Sequence, residues 1–491
     1  MLRESLSRYF WKLLLLTSRT TNLFRKVVIR KWETPLEQQM SERLFHLLSF
    51  VNLSVPFCKN IYTKFLVSRH DSSFSLEELP LLPIITKQSL KIAGKDALAN
   101  DYLSNFQSLY FNLDDSFFRN LYKILFQKDF IFEIQTGGTT GSPLTSYKNK
   151  TALLTDGLLF LRGWLMMGWK PGSKVLWFYN SYYDNNFSFA NALAFLTGIK
   201  LFFFDHLSDE TILRFVNEYN AYKPDIVVTF PSYINDAAST IEKNGYKLMH
   251  FPLGIEVSGE SLFSHQRRNI ENVFKAKVFD SYGANEFGMV AHECEYQNGM
   301  HVYEDMALLE SIEHGGDTNS LLVTRYDSIY SPAIRYKVGD RGTLARHSCP
   351  CGRTGLVLQE VDGRVDDFIE LPDKKRMYPS TFRQILSKCD KIFDNCILES
   401  NLVQTATHSL TFQVVLSSKS EESKITDWLV DNFRQILPRD VNINLNIVDS
   451  IRGRKKFRFI ERNISSVAIE KVAEKTFPSA ISQRIFEKVL K

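Results

Sequence analysis

Three short apolar runs constrain this chain most: Lys174-Val-Leu-Trp-Phe-Tyr179, Lys200-Leu-Phe-Phe-Phe204 and Asp225-Ile-Val-Val-Thr-Phe230. Each is too short for a core helix and is rich in β-branched or aromatic residues, as a buried strand requires. Between the second and third, residues 208–220 carry Ile212, Leu213 and Val216 at helical spacing. Strand, helix, strand in succession predicts an α/β core with its sheet covered by helices. Upstream, residues 1–130 read as mostly helical, with Leu44, Phe45, Leu47, Leu48 and Val51 on one stripe. Residues 131–365 form the α/β core, and 320–345 within it read as antiparallel strands and turns. From 366 to 491 a small α+β unit is expected, with strands at 410–416 and 441–448 and a helix over 421–436. No internal repeat or low-complexity linker interrupts this order.

The 491 residues leave room for two or more domains. At 44% hydrophobic and 23% charged, the composition is that of a soluble globular protein, and a cytoplasmic one is expected. No run approaches the roughly 18 apolar residues of a membrane span. Leu13–Leu16 is too short, and no small-residue cleavage site follows it. Charge is uneven. Residues 1–31 hold Arg3, Arg8, Lys12, Arg19, Arg25, Lys26, Arg30 and Lys31 against Glu4 alone, which is +7 in a chain of net +5. Leu2, Leu6, Tyr9, Phe10, Leu13 and Leu16 share a helical face in this segment. Such a helix packs on its own domain with its basic face in water, or makes peripheral contact with the inner face of an anionic membrane. Nucleic acid is not the expected partner, because no stacking motif accompanies the charge.

The densest local signal is Thr136-Gly-Gly-Thr-Thr-Gly-Ser142, just after Phe130-Ile-Phe132. Gly137, Gly138 and Gly141 let the backbone approach a ligand closely, and Thr136, Thr139, Thr140 and Ser142 add hydroxyls. Such a loop can wrap a phosphate chain. It is not a GxxxxGK[ST] loop, since Leu144 and Thr145 stand where a lysine would be needed. Further on come Val257-Ser258-Gly259-Glu260, then Ser281-Tyr282-Gly283-Ala-Asn-Glu286, then Ile334-Arg-Tyr-Lys-Val-Gly-Asp340, then Asp362-Gly-Arg364-Val-Asp366.

In this order and spacing, the set resembles the adenylate-forming superfamily of acyl-CoA synthetases, adenylation domains and luciferases. The missing lysine, Val257–Glu260 and Cys349-Pro-Cys-Gly-Arg353 are similar to the branch of phenylacetate–CoA ligase and CapK-type capsular polysaccharide proteins. The resemblance spans about residues 130–460. It implies ATP-dependent activation of a small carboxylic acid as acyl-AMP, then transfer of the acyl group to a thiol, CoA above all. Adenylation brings a carboxylate to the α-phosphate, so N–H donors and cations must offset two anions. On this reading Thr136–Ser142 face the phosphates and Glu286 holds Mg²⁺. Ser258, Gly259, Glu260, Ser281, Tyr282 and Gly283 line the adenine pocket. Asp340 accepts from the ribose hydroxyls, with Arg364 beside it. Asp366 matches the hinge position, and Lys456 in Gly453-Arg-Lys-Lys456-Phe-Arg458 matches the catalytic lysine, with Lys455 one place away. Tyr179–Asp184 and Phe230-Pro-Ser-Tyr233 are expected near the acid. The same fold also allows acyl or AMP transfer to an amine or hydroxyl, in polysaccharide or cofactor modification, and an idle nucleotide binder.

Cys294, His301, Cys349 and Cys351 stand apart. C-x₆-H followed by C-x-C supplies three thiols and an imidazole, the donor set of a closed structural Zn²⁺ site. His292 is a rival ligand. Cys58, Cys389 and Cys396 lie in apolar stretches and read as inert core residues.

Overall fold

The computed structural model describes residues 37–463 outside several internal segments, chiefly 67–73, 110–122, 136–143, 181–196 and 452–458. The fold is mixed α/β. It divides into two compact units, with the boundary between Asp366 and Asp367.

The first unit is built on a twelve-stranded sheet. Its parallel half contains β4 (Val175–Asn180), β5 (Ile199–Phe204), β6 (Ile226–Thr229), β7 (Gly254–Ser258) and β8 (Val278–Ala284), ordered β5-β4-β6-β7-β8. Period-2 alternation decides what each face buries. Leu176, Phe178, Val227, Ile255, Val257 and Val278 pack under α4 (Asp209–Tyr222), α5 (Pro231–Asn244) and α6 (Ser264–Phe274). Val175, Ile226, Val228 and Phe279 turn the other way, onto Leu158, Leu159, Leu161 and Trp164 of α3 (Lys150–Met166). Both faces are dry, which is why these strands read as unbroken apolar runs. Helix starts and stops follow local chemistry. Ser208 caps α4 by accepting from Thr211 N, Asn149 caps α3 by accepting from Ala152 N, and Gly245 closes α5 at φ +66°.

From β8 the sheet turns antiparallel through β9 (Gly288–Glu293), β10 (Met300–Val302), β14 (Leu356–Arg364), β13 (Tyr336–Arg346), β12 (Asp317–Arg325) and β11 (Ala307–His314). The short β1 (Ile85–Thr86) adds in parallel beside β13. This half packs on α1 (Glu37–Ser54), whose Leu44, Leu47, Leu48 and Val51 are buried as their spacing predicts. A separate hairpin pairs β2 (Ile131–Gln135) with β3 (Thr145–Asn149).

The second unit has its own four-stranded sheet. In it β17 (Ile397–Ala406) and β18 (Ser409–Leu416) run antiparallel, with β19 (Asn442–Ile447) beside β18 and β20 (Ile460–Arg462) beside β17. Helices α7 (Pro379–Ile392) and α8 (Glu422–Ile436) accompany it, and Phe412 stacks on Phe433 of α8 at 4.7 Å. The two expected strands and the expected helix of this region are all present. Among the described residues no helix is long and apolar enough to cross a membrane.

Candidate active site

The candidate residues gather where the parallel strands end and the sheet reverses. β7 ends at Ser258, which lies beside Ser281 of β8 in parallel register. Gly259 follows at φ +74°, and Glu260 Oε2 accepts from the Ser232 amide at the start of α5, 3.2 Å away. In α/β sheets, ligands bind outside the carboxyl ends of the strands. The chain here also turns back: β8 and β9 form a hairpin whose turn holds Asn285, Glu286 and Phe287. That turn needs glycine on both sides. A Cβ on Gly283 would lie 2.6 Å from the Gly288 carbonyl oxygen, and one on Gly288, at φ +71°, would lie 2.1 Å from Asp156 Oδ1.

Tyr282 crosses to the antiparallel half, donating its hydroxyl to Asp340 Oδ2 at 2.9 Å. This bond joins two of the sequence-selected residues that are 58 positions apart. Asp340 in turn pairs with Arg364 across β13 and β14. Tyr336 lies 3.5 Å from Glu286 Oε1. Gln135 and Thr145 are partners in the β2–β3 hairpin, so the glycine-rich segment is its connection. Thr136–Ser142, the Arg364 side chain, Asp366, Lys455, Lys456, Ser181–Asp184 and residues 1–31 lie outside the described residues. Tyr179, Phe230 and Tyr233 form an aromatic cluster at the ends of β4 and β6, with centroids 5.0 Å (Tyr179–Phe230) and 5.1 Å (Phe230–Tyr233) apart.

Two groups of interactions had no signal in sequence. The first is ionic. Lys148 on β3 pairs with Asp156 on α3. Arg325, at the end of β12, pairs with Asp156 at 3.2 Å and with Asp327 at 2.7 Å, and donates to the Phe287 carbonyl. Burial pushes the Asp156 carboxyl up, but Lys148 and Arg325 outweigh it and hold it below its ordinary range. The second lies under β7 and β8. Fully buried Glu256 accepts from Trp164 Nε1 and, at 3.0 Å, from Ser281 Oγ. Burial pushes its carboxyl up to about 7. His292 Nδ1 lies 2.6 Å from the Glu293 carbonyl, and its Nε2 faces Glu256 Oε1 at 4.0 Å. Each of these residues is an ordinary charged or polar residue within a helical or strand pattern. Only the tertiary pairing reveals it.

The cysteine–histidine constellation converges. One donor atom from each of Cys294, His301, Cys349 and Cys351 lies within 4.8 Å of all the others, and His292 is not among them. Cys294 Sγ is 3.7 Å from Cys349 Sγ, and Cys351 Sγ is 3.4 Å from His301 Nε2. With Zn–S near 2.3 Å and Zn–N near 2.0 Å, the edges of a ZnS₃N tetrahedron are about 3.8 Å and about 3.5 Å. The spacing therefore fits that ion. Burial lowers the His301 pKa to about 4, with Arg353 adding to the effect, so the imidazole is neutral and able to ligate near pH 7.

No family model matches the chain. Curated relatives do. CapK of Staphylococcus aureus is 22% identical over 367 residues, covering 70% of this chain and 77% of CapK. Phenylacetate–coenzyme A ligase of Thermus thermophilus is 23% identical over 366 residues, covering 72% and 75%. Among solved structures, 2-hydroxyisobutyryl-CoA ligase in its postadenylation state superposes with a TM-score of 0.66 at 18% identity, over 92% of this chain and 94% of that one. This chain has the adenylate-forming ligase fold. The reversing strand pair β8–β9, the Tyr282–Asp340 bond and the β2–β3 hairpin all lie in the first unit.

Proposed function

We propose that the chain is an ATP-dependent ligase that joins a small carboxylic acid to AMP and passes the acyl group to CoA. The Tyr282–Asp340 hydrogen bond supports this most directly. It joins β8 to β13 near the strand ends, where Ser258, Gly259, Glu260, Ser281 and Gly283 also lie. On this reading Tyr282 offers its flat face to adenine, and Asp340 accepts from the ribose hydroxyls. Glu286, on the turn between β8 and β9, holds Mg²⁺, which supplies charge to offset the phosphates when bound. Thr136–Ser142, carried on the β2–β3 hairpin, face the phosphates. The relatives' names support CoA as acceptor, since two of the proteins above are CoA ligases.

We further propose that Cys294, His301, Cys349 and Cys351 bind a structural Zn²⁺. Four protein donors leave no open position, so this ion ties elements together and takes no substrate. ATP–pyrophosphate exchange with a panel of acids tests the ligase reading. Acid-dependent exchange is expected, and its absence with every acid sinks the reading.

A further inference from the structure

We propose that Arg325 is a positioning residue for adenylation, which locks the β8–β9 turn so that Glu286 is held in place for Mg²⁺. This rests on the adenylating reading, which assigns Mg²⁺ to Glu286. Arg325 is 1% exposed at the end of β12. A guanidinium keeps its charge when buried, so each of its five N–H donors needs an acceptor. All five have one. Nε donates to Asp327 Oδ1 at 2.7 Å. Nη2 donates to Asp327 Oδ2 at 3.0 Å and to Asp156 Oδ1 at 3.2 Å. Nη1 donates to the Phe287 carbonyl and, at 3.4 Å, to the Met289 carbonyl. The second Asp156 oxygen accepts from the Lys148 ammonium.

The two carbonyls belong to the residues on either side of Gly288, directly after Glu286. Gly288, at φ +71°, makes the turn possible and also leaves it loose, since glycine brings no side chain to hold it. Arg325 supplies the hold from outside. The contact is close: a Cβ on Gly288 would lie 2.9 Å from Arg325 Nη1 as well as against Asp156. The network is also balanced in charge, with Lys148 and Arg325 set against Asp156 and Asp327. It therefore adds little net field at Glu286, and its contribution is placement of the carboxylate. Placement matters because a misplacement of about 1 Å costs an enzyme up to about 10²-fold in rate.

A double-mutant cycle in ATP–pyrophosphate exchange tests this, run well below the melting temperature of every variant. Arg325→Lys keeps the charge between the two aspartates and loses the fork that grips the turn. It should lower kcat about tenfold and raise the Mg²⁺ concentration for half-maximal exchange, with KM for the acid unchanged. Added to Glu286→Gln, the same change should cost less than about twofold more, because it acts through a carboxylate already gone. An equal factor in both backgrounds, or an unmoved Mg²⁺ requirement, makes Arg325 a core residue only and overturns the inference while the ligase stands. Should Arg325→Lys not fold, Asp156→Asn enters the same cycle, since it loosens Arg325 while Asp327 still pairs with it, and the same two outcomes decide. A wild type that exchanges with no acid removes the adenylating reading itself and this inference with it.

Discussion

At the scale of single residues, Glu286 and Glu256 show two uses of a carboxylate thirty positions apart. Glu286 stands on a turn, partly exposed, and is proposed to face a cation. Glu286→Gln keeps the shape and removes the charge, so exchange should fall about 10²-fold or more while the melting temperature is unchanged. Near-normal exchange in that variant takes Glu286 out of the site. Glu256 is enclosed, and its carboxyl is pushed from its ordinary 4.5 up to about 7 by burial. The folded protein thus holds this proton more tightly than the unfolded chain. Its contribution is full below about pH 4.5 and is lost as pH rises through 7. Glutamine carries no such charge and can donate to His292 Nε2. Glu256→Gln should therefore match wild type at pH 4.5 and exceed it in stability at pH 7.5, by on the order of 1–3 kcal/mol. Denaturant melts at the two pH values measure this, and a pH-independent difference between the proteins counts against a raised pKa at Glu256.

At the scale of elements, the motifs were legible because their residue types are unusual. A glycine-rich turn, Tyr-Gly-Ala-Asn-Glu and Cys-Pro-Cys-Gly leave little else to be. The buried strands were legible for a different reason: both faces are covered, so the apolar run is continuous in β4, β5 and β6. The β2–β3 hairpin was not read as one, because its strands, Ile131–Gln135 and Thr145–Asn149, mix polar and apolar residues without clean alternation. Nor could spacing alone bring Cys294 to Cys349. The sheet does that, since β10 pairs with β9 on one side and β14 on the other. His301, on β10, sits between the chain leaving β9 at Cys294 and the β13–β14 connection at Cys349 and Cys351. A zinc ion there would cross-link three strand ends. About one Zn²⁺ per chain is expected by elemental analysis. Cys351→Ser should lower zinc content and the melting temperature together, and chelation of the wild type should do the same, because metal binding contributes folding free energy. Zinc-free protein of unchanged stability counts against the site.

At the scale of the whole molecule, the chain order of motifs carried the superfamily resemblance, while the ion pairs of Lys148, Asp156 and Arg325 came only from the fold. Those three residues lie up to 177 positions apart and are ordinary in their local patterns, so no window of sequence contains them. The resemblance assigns Lys456 to the first half-reaction and Asp366 to the change between the two. An ammonium placed against the carboxylate and α-phosphate offsets repulsion that grows in the transition state of adenylation alone. Lys456→Ala should then depress exchange by about 10²-fold or more, yet still pass the acyl group from supplied acyl-AMP to CoA. Asp366→Pro should do the reverse, since proline fixes φ and stiffens the backbone where a hinge must turn. Exchange would survive in it and transfer would fail. Two assays on two variants separate the roles. If Lys455→Ala abolishes exchange and Lys456→Ala does not, the catalytic lysine is one residue earlier. If neither lysine matters, the Gly453–Arg458 segment takes no part in adenylation, and the charge between the two anions must be offset by other residues.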